Sequence, residues 1–229
     1  LYLVLCMACS GLSCVTLVSL GESFLGGNYR RALVQAAASI VGIAAAIFIS
    51  TLDYHSMARA WPVHATVAWG LVLLTFFIGY APAGTTNKAW ISLPFDLSLQ
   101  PTELAKISFI LTFALHLSRV SDRVNEPRVL LRLLAHIAAP AFFIILQGDD
   151  GTMIVFVLIA ITMLFAAGLS YRYIAAAAGA AVIAAPVLWF FFLGDYQKSR
   201  ILGLFHPEQY PVVVWQQAQG EISIGAGQI

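Results

Sequence analysis

Charge is what this chain has least of. Asp, Glu, Lys and Arg make up 10% of its 229 residues, against about a quarter in a soluble domain. With 60% hydrophobic residues and a mean hydropathy of +0.86, that scarcity excludes an ordinary soluble fold and indicates a polytopic membrane protein. There is no run of basic residues of the kind that grips a nucleic-acid backbone. Cysteine is scarce too: Cys6, Cys9 and Cys14 all fall in the first apolar stretch. Cys6-Met7-Ala8-Cys9 matches C-x-x-C, yet no second pair accompanies it and the five histidines are scattered. The thiols read as small packing residues, and neither a zinc site nor a disulfide is expected. Ahead of Leu20 there is no basic n-region and no small-residue cleavage site, which favours a first membrane helix over a signal peptide. The chain starts at Leu1 without a Met and stops in a Gly-containing polar segment, so a piece of a longer protein is expected. No internal repeat supports an inverted-repeat transporter.

What is abundant is long apolar sequence. A membrane helix needs about 20 mostly apolar residues. Seven segments qualify or come close: Leu1–Leu20, Ala32–Leu52, Val63–Tyr80, Pro101–Leu117, Leu133–Leu146, Met153–Leu169 and Ile174–Leu193. The fifth and sixth look short, and Pro140 and Pro186 are expected to kink the fifth and seventh. An alanine-rich tract from Ala175 to Ala185 lets neighbouring helices approach closely. The predicted fold is all-α: one transmembrane domain over residues 1–229, built as a polytopic helical bundle.

Orientation is read from Lys and Arg in the connections. Arg119, Arg123, Arg128 and Arg132 crowd the fourth connection, diluted by Asp122 and Glu126. Adding Arg59 and Arg172 gives six basic residues on that side, against Arg30, Arg31, Lys88, Lys198 and Arg200 on the other. The count is narrow, but the four-Arg cluster is the densest and is placed in the cytoplasm. Residues 83–100, 147–152 and those after Gly194 then face outward, bringing Glu103, Asp149 and Arg200 to one end of the bundle.

The most informative stretch is Leu99-Gln100-Pro101-Thr102-Glu103-Leu104-Ala105-Lys106. Pro101 suits a first helical position. Glu103 falls in the first turn, where the helix dipole favours an anion, and Lys106 follows on the same face, within pairing distance. An ionisable pair inside a membrane span is a functional-site candidate. The plainer alternative is a first-turn carboxylate and a snorkelling lysine.

At this point the chain resembles the shape, elongation, division and sporulation (SEDS) family, the RodA/FtsW/SpoVE group. Gln100-Pro101-Thr102-Glu103 with Lys106 resembles Q-P-S-E-x-x-K, and Trp90 resembles the Trp of G-A-x-R-W. Gln147, Asp149, Gly151 and Thr152 resemble Q-P-D-L-G-T. Gly168-Leu169-Ser170 with Arg172 resembles G-L-S-x-R. Asp195-Tyr196-Gln197, Arg200 and Pro207 resemble D-Y-Q-x-x-R…P, and Gln219, Ile224, Gly225 and Gly227 resemble Q-S-x-x-A-I-G-x-G-G. There are departures. Ala89 stands where the family has Arg, with Lys88 as a stand-in one position earlier. Gly148 and Asp150 replace Pro and Leu, which adds a carboxylate and is expected to loosen the turn. Gly220 and Gln228 replace a Ser and a Gly.

The resemblance implies a glycosyltransferase that polymerises undecaprenyl-linked lipid II at the outer face of the bacterial cytoplasmic membrane, in elongation, division or sporulation. It also implies a class B penicillin-binding protein, a transpeptidase, as partner. On this reading the chain holds roughly the first seven of an expected ten transmembrane helices. The family's catalytic Asp would lie beyond Ile229, leaving the chain inactive alone. Glu103 and Lys106 would support catalysis. Trp90, Gln100, Asp149, Arg200 and Gln219 would bind substrate, with Lys106 or Arg200 meeting the diphosphate. A divalent cation would take Asp149 and Asp150, since hard cations prefer oxygen, although a capping turn explains that Asp pair better. The alternatives are a transporter or flippase of lipid-linked precursors and a noncatalytic scaffold for a transpeptidase.

Overall fold

The computed structural model describes Gly11 and residues 30–82, 87–94 and 97–226; the first apolar segment and its three cysteines lie outside them. The helices are α1 (Arg30–Ser50), α2 (Tyr54–Arg59), α3 (Trp61–Ile78), α4 (Pro101–Val120), α5 (Pro127–Leu146), α6 (Asp150–Ala166), α7 (Tyr171–Val187), α8 (Asp195–Gly203) and α9 (Trp215–Ala226). Among the described residues four stretches, Trp61–Ile78, Pro101–Arg123, Pro127–Leu146 and Tyr171–Phe192, are long and apolar enough to cross a membrane, while Ala36–Ser50 and Asp150–Ala166 are shorter. This is the helical membrane architecture the apolar runs predict.

Helix α4 is the centre of the bundle, packed against α3, α5 and α6. Its buried residues Thr102, Ala105, Phe109, Phe113 and Leu117 recur every three or four positions and so line one face. Phe109 stacks on Phe113 at 5.2 Å between centroids and meets Phe156 of α6 at 5.4 Å. Between lipid-embedded helices such close packing replaces the hydrophobic drive available in water.

Several boundaries differ from the expected ones. Helix α5 begins at Pro127, not Leu133, because Pro127 occupies a first-turn position where its absent N–H is no loss. It is therefore not short, and Arg128 and Arg132 stand on its first turns, not in a connection. Arg119 likewise sits in the last turn of α4, so the connection shrinks to residues 121–126. After Pro186, α7 continues into a π-helical turn over Leu188–Phe192. Residues 91–99, within the segment 83–100, form a small antiparallel hairpin of β1 (Ile91–Leu93) and β2 (Leu97–Leu99), with Ile91 opposite Leu99. Tyr80 extends the pairing by donating its N–H to the Trp90 carbonyl at 2.9 Å. A Cβ on Gly79 would lie 2.5 Å from the Lys88 carbonyl oxygen, so glycine is what permits this approach.

The turn at Gly148 is tight, not loosened. Gly148 has φ +75°, its N–H reaches the Ile145 carbonyl, and the Asp149 N–H reaches that of Ile144. Together these make a Schellman ending for α5. Gly168, at φ +87°, ends α6 in the same way, with Leu169 bonded back to Leu164. Asn125 ties the opposite end together. Its side-chain amide donates to the Gly168 carbonyl at 3.1 Å, its Oδ1 accepts from Ser170 N–H at 2.7 Å, and its carbonyl accepts from the Tyr173 hydroxyl.

Candidate functional site at the α4–α6 end

The polar end is assembled from the close of α5 and the start of α6. Gln147, buried in the last turn, donates its amide to the Thr75 hydroxyl and to the Val72 carbonyl of α3. Gly148 then reverses the chain and Asp149 caps α6: its Oδ1 accepts from Thr152 N–H at 3.2 Å and its Oδ2 from the Thr152 hydroxyl at 2.8 Å. The same Oδ2 accepts from Gln100 Nε2 at 2.9 Å. One buried carboxylate thus joins the entry of α4 to the start of α6. Asp150 accepts from Gln197 Nε2 at 3.0 Å, which brings α8 over the turn.

Under α8 lies a polar cavity of about 300 Å³, bordered by Asn87, Asp149, Asp150, Thr152, Tyr196, Gln197 and Arg200. The Arg200 guanidinium sits 5.9 Å from the centre of the Tyr196 ring, within cation–π range. No ion pair among the described residues engages Arg200. At this end Gln147 Oε1, Thr102 Oγ1 and Asn87 Oδ1 are buried with no hydrogen-bond partner among the described residues.

Of the residues singled out from sequence, Gln100, Asp149 and Arg200 are brought together here, through one direct hydrogen bond and one shared cavity. Glu103 and Lys106 form a bidentate pair, with Nζ 2.7 Å from each carboxylate oxygen. Lys106 is 20% exposed and Glu103 56%. The pair stands one helical turn from Gln100 and does not line the cavity. Trp90 serves the backbone bridge to Tyr80, and Gln219 lies on α9, away from the cavity lining. Ala89 is fully buried and Lys88 exposed, so Lys88 does not fill the place of an arginine at 89. The Asp149–Asp150 pair is spent on capping and on holding α8. Among the described residues no group of three or more His, Cys, Asp or Glu is placed to hold a metal ion. Thr75 escaped sequence reading, because an isolated threonine in an apolar helix carries no signal. Gln197 was visible only as part of its motif.

The chain is similar to several known proteins. The probable peptidoglycan glycosyltransferase FtsW of Geobacter metallireducens is 33% identical over 204 residues, covering 83% of this chain and 51% of that protein. The peptidoglycan glycosyltransferase MrdB of Escherichia coli K12 is 30% identical over 158 residues, covering 69% and 42%. The probable FtsW of Trichlorobacter lovleyi is 30% identical over 224 residues, covering 92% and 55%. The chain therefore spans about half the length of the curated relatives it matches. No solved structure matches it significantly. Since residues 1–229 are matched throughout by the cell cycle protein family FtsW/RodA/SpoVE, the chain belongs to that family.

Proposed function

We propose that the protein containing this chain is a peptidoglycan glycosyltransferase that polymerises lipid II at the outer face of the bacterial cytoplasmic membrane, as a multi-pass protein working beside a class B penicillin-binding transpeptidase. The observation that carries the reading is the Gln100–Asp149 junction, which roofs an apolar bundle with a polar cavity beside an ionisable pair. A lipid-linked sugar needs that combination: a wet end for the headgroup and a helical flank for the chain. In the reaction an acceptor sugar hydroxyl attacks the anomeric carbon and the polyprenyl diphosphate departs. The step calls for a base at the hydroxyl and for cationic stabilisation of the leaving diphosphate. Arg200, free of carboxylate partners among the described residues, is suited to the second task. Lys106 is held by Glu103, so the pair is suited to orienting the acceptor. The base is expected from sequence beyond Ile229.

One observation favours transport of a lipid-linked precursor as a second reading. Polar groups continue down α4, where Ser108 contacts His64 at 2.9 Å and Thr112 contacts His136 at 3.3 Å. Purified full-length protein in detergent separates the two, because there is no membrane to cross. The proposal expects glycan product from lipid II there, and Glu103→Gln to lower the rate at least about tenfold, or about 1.4 kcal/mol of transition-state stabilisation. A full-length wild type that makes no glycan removes the proposal, and an unimpaired Glu103→Gln removes the pair from the site.

A further inference from the structure

A second cavity, of about 400 Å³, opens between α3, α4 and α5, within the roughly 300–1,000 Å³ range of small-molecule sites. Its composition changes along its length. Trp69, Phe109 and Phe143 make one part aromatic, and His116, Arg119 and His136 make the other basic. The protons can be placed from the hydrogen-bond network. The Thr112 hydroxyl donates to the carbonyls of Ser108 and Phe109, at 3.0 and 3.1 Å. Its oxygen is then left to accept from His136 Nε2–H at 3.3 Å. Neutral His136 consequently presents a bare Nδ1, which accepts from His116 Nδ1–H at 3.1 Å. His116 Nε2 is the ring nitrogen left over, one turn from Arg119 on the same helix. Arg132, one turn from His136 on α5, stands outside the cavity lining. No ion pair among the described residues engages Arg119 or Arg132.

An aromatic slot that ends in the Arg119 guanidinium, engaged by no ion pair among the described residues, is complementary to an amphiphile with a negative head. We propose that this cavity binds an anionic phospholipid, its phosphate on the Arg119 guanidinium, a headgroup hydroxyl donating to the bare His116 Nε2 and an acyl chain against Trp69 and Phe143. Basic pockets between membrane helices are the usual receptors for such headgroups. A zwitterionic lipid gains less, since none of the residues at the basic end is a carboxylate that would receive its ammonium group. The site is independent of the polar end, and glycosyl transfer makes no use of His116, Arg119 or His136.

The test uses the full-length protein in phosphatidylcholine nanodiscs and reads tryptophan quenching by lipids brominated on the acyl chain. Brominated phosphatidylglycerol is expected to quench more than an equal share of brominated phosphatidylcholine, and Trp69→Phe to remove most of that excess. Arg119→Gln should weaken the preference about fivefold, the share of one basic residue at a lipid headgroup, while Arg119→Lys retains it. Arg128→Gln, on the same helix end as Arg132 but outside the cavity, should change nothing. Equal quenching by the two lipids overturns the proposal, as does an excess that survives Arg119→Gln or falls equally with Arg128→Gln. Displacement by inorganic phosphate also overturns it, because the ligand would then be a free anion.

Discussion

At Gly148 the backbone turns to φ +75°, and that single residue decides where Asp149 points. An L side chain there strains a left-handed conformation, so Gly148→Ala is expected to cost about 1–2 kcal/mol. Gly70, inside α3 with nothing within 4 Å of a would-be Cβ, is the contrast: Gly70→Ala should gain about 0.5–1 kcal/mol by helix propensity. Thermal unfolding of the detergent-solubilised protein checks both, and shifts of the same sign for the two variants would refute the account. Residue-level reading of the sequence went wrong at Gly148 because replacing Pro by Gly looks like added freedom. The freedom is used up by the Schellman hydrogen bonds, which depend on where α5 stops. Asp149, by contrast, was readable as a cap, since Asp two residues before the Gly-Thr of a helix start has a local partner in Thr152.

Among the elements, α2 has the clearest electrostatic device. Asp53 caps it, accepting from the His55 and Ser56 backbone N–H groups and from the side chains of both. Those bonds, led by the one from the His55 backbone, lower its carboxyl from 3.8 to about 2. A depressed folded-state value means the stabilisation is fully present above the unfolded value and is lost as pH falls from about 3.8 through about 2. Amide protection factors at His55 and Ser56 should therefore fall as pH drops through that window in the wild type and stay flat in Asp53→Asn. A flat wild-type profile would rule the device out. The long helices were legible from sequence because lipid allows few alternatives for an apolar run. Their ends were not, because Arg119, Arg128 and Arg132 look like loop residues, whereas a long guanidinium stem can ride on a helix and still reach water. The hairpin at 91–99 was hidden for another reason: three residues per strand are too few to show an alternating pattern.

For the whole molecule, the testable property is sidedness. The proposed orientation, read from the arginines of the α4 and α5 ends, puts residues 121–126 in the cytoplasm. A fluorescent reporter inserted within Ser121–Arg123 should then be bright and a phosphatase inserted there inactive; the reverse pattern would invert the bundle. That Glu103, Asp149 and Arg200 lie toward one end could be anticipated, because counting spans assigns each loop to a side; of the three, Asp149 and Arg200 share the polar cavity and Glu103 does not line it. Which of them touch could not, since the Gln100–Asp149 and Gln197–Asp150 bonds join residues nearly fifty positions apart.

Helix α7 has no buried residue among those described, and the Asn125 clamp fixes its base through Gly168, Ser170 and Tyr173. The stretch Tyr171–Phe192 has 22 residues, so it makes a lever roughly 33 Å long, and a lean of about 10° at the root carries its tip about 6 Å. That tip leads straight into α8, which supplies Gln197 and Arg200 to the polar cavity. Such a lean would therefore change the width of the polar cavity from the opposite end of the bundle, where one asparagine holds the foot of a mast.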